Sequence, residues 1–196
     1  MPQAVLRRLD KTPGSGLRAV LAAQAEAGSR TPIPSPPNDV DAVRATCDSF
    51  VLDSFTAEDA WELGHLLYAR LLPFSSEKPT VISIALANSS QVLFQAAVGS
   101  GTQPDNQLWV QRKRNTVLRF GTSTWLQHCK YDGNEEAFRK KFGMSEEQAA
   151  TYAIHGGAVP IRVSGVEGIV AVVVVSGLKQ HEDHGVIVDV ITRNWY

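Results

Sequence analysis

The run Ile169–Val175 is apolar at every position, and it constrains the fold more than any other segment. A strand with no polar face must be covered on both sides, so it belongs in the middle of a sheet with further layers above and below. The run is far too short for a bilayer, which takes ~20 apolar residues in a helix. Upstream, Val159, Ile161 and Val163 alternate with Pro160, Arg162 and Ser164, and Gly165 to Gly168 supplies a turn, so the two segments read as a hairpin. Pro160 lacks a ladder donor, which places the start of its strand there or the strand at an edge. Thr80–Ala87 and Gln91–Val98 flank Asn88-Ser89-Ser90 and read as a second hairpin. Phe50-Val51-Leu52 is a short fifth strand that feeds a helix.

The helices are marked by their ends. Thr56 precedes Glu58 and Asp59 as an N-cap signal, and the helix from about Ala57 to Leu72 carries Trp61, Leu63, Leu66, Leu67 and Leu71 on one broad face before Pro73 stops it. A second helix runs from Pro104 to Phe120 and ends at Gly121. After a few linking residues, helical stretches follow at Glu135–Lys141 and Ser145–Ile154, and an amphipathic helix from Gln180 to Trp195 closes the chain. The expected architecture is α+β: a single five-stranded antiparallel sheet flanked by helices. Residues 1–45 read as an N-terminal appendage, with a helix over Leu17–Ala27 and a stiff loop over Ser29–Asn38, where four prolines exclude helix and central strand. Residues 46–196 form the domain.

A length of 196 residues suits one core plus a tail. Lys and Arg total 19 against 20 for Asp and Glu, so there is no basic excess of the kind that coats nucleic acid. Residues 104–141 are locally basic, with eight basic and four acidic groups. The N-terminus lacks the apolar core of a signal peptide, and Cys47 and Cys129 stand far apart, forming neither a disulfide framework nor a metal knuckle. Together these features point to the cytosol, with no nucleic acid and no membrane as partner.

Three constellations could carry chemistry. Arg112, Asn115 and Arg119 are spaced i, i+3, i+7 and share one side of a helix. Two planar guanidiniums around an amide can clamp a carboxylate or phosphate, and the same stripe can equally pair with acidic groups or another subunit. In His155-Gly156-Gly157 the glycines can take positive φ and leave N–H groups open to a ligand beside a titratable imidazole, or they can simply cap a helix. His181 and His184 bracket Glu182 and Asp183 on a first turn, but the sequence offers no third metal ligand, and the acids equally suit the positive end of a helix. The GxSxG, P-loop and GxGxxG motifs are absent. The sequence shows no committed acid–base or nucleophile pair.

The ordered set Asp53-Ser54-Phe55, Asp59-Ala60-Trp61-Glu62-Leu63-Gly64, Pro104-Asp105-Asn106 with Trp109-Val110, Arg112-Lys113-Arg114-Asn115, Arg119-Phe120-Gly121, His155-Gly156-Gly157, Pro160-Ile161-Arg162, Ser176-Gly177-Leu178 and Asp183-His184 resembles the haem-degrading-domain family, the HbpS- and GlcG-like group. The resemblance spans about residues 47–195 and is strongest to the small cytosolic branch of that group. It implies a profilin-like fold and assembly into homodimers and larger ring-like oligomers. It also implies a ligand, haem or another carboxylate-bearing molecule, and marks Arg112, Asn115, Arg119, His155, Gly156, Gly157, Asp183 and His184 as the positions to watch. On that reading the ligand sits between subunits or at the His155-Gly156-Gly157 turn, Arg112 and Arg119 hold carboxylates, and His155 or His184 serves as axial ligand or proton donor. The sequence departs from the family pattern at the Pro-rich Thr31–Pro37 stretch, which reads as an insertion, and at Ala158, where relatives often carry a third glycine. A rival reading is a non-enzymatic scaffold whose N-terminal appendage or Arg193–Tyr196 tail recruits a protein partner. A metal-dependent enzyme is the third.

Overall fold

A computed structural model describes residues 4–8, 10–26 and 30–196. Ser29 of the expected loop and Ala27 of the expected helix lie outside these residues. Among the described residues the sheet has six strands: β1 (Val5–Leu6), β2 (Phe50–Leu52), β3 (Thr80–Leu86), β4 (Val92–Val98), β5 (Ala158–Val163) and β6 (Ala171–Ser176). Their spatial order is β1-β2-β5-β6-β3-β4. The helices are α1 (Ser15–Ala25), α2 (Val40–Thr46), α3 (Ala57–Leu71), α4 (Pro104–Phe120), α5 (Thr124–Tyr131), α6 (Glu135–Lys141), α7 (Glu146–Ala149) and α8 (Gln180–Asn194).

The expectation of five antiparallel strands is corrected on both counts. β1 pairs with β2, and β2 with β5, in parallel, whereas β5, β6, β3 and β4 pair antiparallel. The two hairpins fix their own direction through short turns, but β2 meets β5 across more than a hundred residues of sequence, so no turn dictates its sense. β1 is two residues long and carries no periodicity to read.

β6 takes the central place its sequence demands. Ala171, Val173 and Val175 join the core formed with α3 and α8, while Val172 and Val174 face α4 beside Val110 and Val117. Pro160 is the third residue of β5, a strand flanked by β2 and β6, and stands opposite Val172. This placement is tolerated because β2 reaches only Ile161–Val163, so at Pro160 only β6 runs alongside.

The N-terminal residues add to this body. Beyond β1, Arg7 and Tyr196 exchange backbone hydrogen bonds at 2.6 and 2.8 Å. Arg8 ion-pairs with the buried Glu62 of α3. The Pro-rich loop runs over α3 and α5: Arg70 donates to the carbonyls of Thr31 and Pro32, and the Trp125 indole donates to Pro37 at 2.8 Å.

Local signals set most helix ends. Thr56 and Asp59 form a reciprocal capping box on α3, and Gly121 closes α4 in the left-handed region at φ 71°. The helix expected over Ser145–Ile154 stops at Ala149. Side chains of α4 capture the next carbonyls: Asn115 donates to Thr151, Arg112 to Tyr152, and Thr116 to Ala153. Among the described residues no helix is long and apolar enough to cross a membrane.

Candidate functional site

Asp105, Trp109 and Lys113 sit at i, i+4 and i+8 on α4 and therefore share a face. The indole of Trp109 donates to Asp105 at 3.0 Å, which fixes the ring along the helix. One turn deeper, Lys113 is 2% exposed, and its ammonium donates to Asp183 at 2.9 Å and to the Val175 carbonyl at 3.1 Å. Asp183 stands in the first turn of α8, equally buried, and its other oxygen accepts from the Leu178 amide at 2.9 Å. Burial pushes the Asp183 carboxyl upward, while the ammonium and the amides of Leu178 and Gly177 pull it back toward the charged form.

The glycine pair exists to let the chain pass over this ion pair. Gly157 has φ +115°, and a Cβ there would stand 2.4 Å from the Val175 carbonyl and 2.7 Å from the Lys113 ammonium. A Cβ on Gly156 would meet the Gln180 carbonyl at 2.4 Å. The nearest preceding helix, α7, ends at Ala149, so the pair caps nothing. Ala158, next along, is fully buried and donates its amide to Thr124 at 3.0 Å.

His155 is held at the rim by its neighbours. Its ring meets Trp109 edge-on at 5.0 Å, and Nδ1 lies 3.5 Å from the Glu135 carboxylate. The side chain is 41% exposed. Burial lowers its basicity below the ordinary histidine range; Lys113 and Arg112 act in the same direction and Glu135 opposes them. A neutral imidazole can donate on one nitrogen and accept on the other.

These groups line an open cleft of about 330 Å³ between the starts of α4 and α8, with Lys113 and Asp183 at its floor and Trp109, Gln180 and His155 on its walls. The first turns of both helices contribute to its lining, and helix N-terminal ends favour negative charge. The volume is at the small end of the range for small-molecule sites.

The expected residues divide between this cleft and other places. His155, Gly157 and Asp183 meet around Lys113, and Gly156 packs against α8 beside them. Arg112, Asn115 and Arg119 face the segment after α6. Arg112 holds the Tyr152 carbonyl at 3.0 Å, lies 3.7 Å from Glu135 and covers Trp109; Asn115 holds the Thr151 carbonyl; Arg119 contacts Met144 and lies over Tyr152. His184 is wholly buried, and its Nε2 donates to the Cys47 carbonyl at 3.1 Å. Burial pushes its pKa down to about 3.

Lys113 and Trp109 belong to the residues that carry the family resemblance, but the sequence does not single them out as site residues. The arginines two turns apart are more conspicuous than the Asp105-Trp109-Lys113 spacing, which was the available signal.

The chemistry open to other groups is narrower. Among the described residues no three His, Cys, Asp or Glu side chains converge as a metal site. Burial raises the Cys47 thiol and raises Cys129 to about 11, so neither is poised as a thiolate. In the Arg193–Tyr196 tail, Trp195 is buried and Arg193 pairs with Asp189 at 2.7 Å, while Tyr196 is exposed. For haem the donors do not fit within one chain. The buried His184 spends its Nε2 on a carbonyl, both arginines hold backbone or aromatic groups, and His155 stands over a small cleft whose floor is an ion pair rather than an apolar slot.

A family model described as "Haem degrading protein HbpS-like" matches residues 55–192. The chain belongs to the HbpS-like family. Among its relatives, a UPF0303 protein of Streptomyces avermitilis is 37% identical over 148 residues, covering 74% of this chain and 85% of that protein. The UPF0303 protein YBR137W of Saccharomyces cerevisiae is 40% identical over 133 residues, covering 68% of this chain and 71% of its own. The crystal structure of Ybr137w superposes with a TM-score of 0.68 at 31% identity, covering 90% of this chain and 93% of that one. A Streptomyces reticuli HbpS double mutant shares the fold, with a TM-score of 0.51 at 16% identity over 71% of this chain and 86% of that one.

Proposed function

We propose that this HbpS-like chain is a cytosolic, self-associating protein that binds a small carboxylate-bearing anion in the cleft between α4 and α8. The observation that carries the reading is the buried Lys113–Asp183 pair at the floor of an open cavity, with His155 at its rim. Taking two charges out of water costs several kcal/mol per ion, and an apolar pair of the same volume would hold α4 to α8 as well or better. A pair kept at a cavity floor is accounted for by what the cavity takes up.

An ammonium has three donors, and Lys113 spends two on Val175 and Asp183, which leaves one for a ligand oxygen. The first turns of the two helices add positive potential, the part of the Trp109 ring that lines the cleft offers an apolar contact, and the neutral imidazole of His155 supplies a donor and an acceptor at the mouth. Asp105 and Asp183 limit the charge the cleft accepts, which favours a compact monoanion over a polyphosphate. The role assigned to Arg112 and Arg119 becomes indirect: they fix the segment that carries His155.

A thermal-shift screen of small mono- and dicarboxylates, with hemin as a separate arm, tests this reading. A ligand at a hundred times its Kd stabilises by about 2.7 kcal/mol. At least one small carboxylate should raise Tm in the native protein and leave it unmoved in His155→Ala. A shift with hemin alone, or with no compound, contradicts it.

A further inference from the structure

The outer strand β4 is unlike the edge strands that monomeric proteins tolerate. An exposed edge is a row of unpaired N–H and C=O groups, usually guarded by charge, proline or shortness. Val92–Val98 contains neither a charged residue nor a proline and is as long as β3, the strand it pairs with. Its one irregularity is a register shift near Val92, which leaves Phe94–Val98 paired residue for residue with β3. The opposite edge, β1, is only two residues long.

Apolar side chains stand on both faces beside this edge. On the α3 side, Trp61 is 40% exposed and reaches Phe94 through His65, with ring separations of 4.3 and 4.9 Å. On the α4 side, Gln95 donates to Gln107 at 3.2 Å, and the next residue, Leu108, is 61% exposed.

We propose that β4 pairs antiparallel with β4 of a second copy, joining two six-stranded sheets into one, with Trp61 and Leu108 covering the seam on its two faces. The proposal rests on the self-association suggested above and says where it occurs. The occupant follows from the strand. A head-to-tail contact between β4 and β1 would pair two residues and leave the rest bare, whereas a two-fold contact uses the whole strand and closes. A strand without charge can oppose itself at no electrostatic cost, and it offers nothing to a charged partner. Whether the two-fold axis passes through Gln95 or Ala96, the face shared by Gln95 and Ala97 meets its own copy.

Light scattering on the native protein, the double variant Q95K/A97K and the double variant Q95E/A97E tests the contact. The native protein should show an even multiple of 21.3 kDa. Each double variant places like charges opposite one another and should weaken that association at least tenfold. Mixing the two should restore the native mass, with the two variants present one to one. A native monomer overturns both the seam and the self-association beneath it; variants that keep the native mass with native circular dichroism overturn the seam alone. Hydrogen exchange on the unaltered protein gives a readout independent of variant folding. Backbone amides of Phe94–Val98 should become more protected as concentration rises through the association range, and concentration-independent exchange there overturns the seam.

Discussion

The Lys113 ammonium lies 2.9 Å from the Asp183 carboxylate, with each side chain only 3% exposed, and the pair ties α4 to the start of α8 beneath the His155-Gly156-Gly157 turn. Removing one partner strands a buried charge. Lys113→Met should cost about 3–5 kcal/mol, read by urea denaturation, and Lys113→Met/Asp183→Leu should recover most of the loss. Equal destabilisation in the single and double variants would mean that packing, not charge, dominates there.

His184 makes an acid-limb prediction. Its pKa is about 3 in the folded protein against 6.5 for an ordinary histidine, so the unfolded chain binds the extra proton first. Folding stability therefore falls as pH drops below about 6.5 and continues to fall toward pH 3. In His184→Gln the glutamine amide can still donate to the Cys47 carbonyl but does not titrate, so this part of the slope should disappear. Denaturant melts at closely spaced pH values measure it, and an unchanged slope in the variant assigns the acid limb to other groups.

Arg112 and Asn115 hold the carbonyls of Tyr152 and Thr151, so their loss should loosen the segment before His155 rather than the core. Arg112→Ala should cost about 1 kcal/mol, a charge-assisted bond discounted for partial exposure. Amide exchange should rise over residues 144–155 and stay unchanged in β6. Uniform faster exchange would contradict this local role.

Gly157→Ala combines a positive φ with a Cβ aimed at the Val175 carbonyl, and should destabilise by about 2 kcal/mol or more. Gly165→Ala is the control, since it shares the positive φ but meets nothing within 4 Å. A smaller loss at Gly157 than at Gly165 would show that the turn is free to move off the ion pair.

Much of the fold is legible in the residues because burial imposes period: the uninterrupted apolar β6, the alternating β5, and α3 with its capping box. What escaped lacks such a signature. β1 is too short for a pattern, and strand sense between β2 and β5 is set by packing over a long sequence separation. α7 is cut short by hydrogen bonds from α4 that no local propensity encodes. Trp125 and Leu126 carry the buried side of α5 as neighbours rather than at helical spacing. In the site, His155, Gly156, Gly157 and Asp183 stood out as motifs. Lys113 did not, because helical spacing shows which residues share a face and leaves open which face turns inward.

Isothermal titration of the full chain with the small carboxylate that most raises Tm tests whether the cleft between α4 and α8 is a ligand site. Saturable binding at one ligand per chain, weakened at least tenfold in His155→Ala and preserved in Arg119→Ala, is the predicted result. No heat from any carboxylate, or equal affinity in the native protein and His155→Ala, would contradict the placement of the site between α4 and α8.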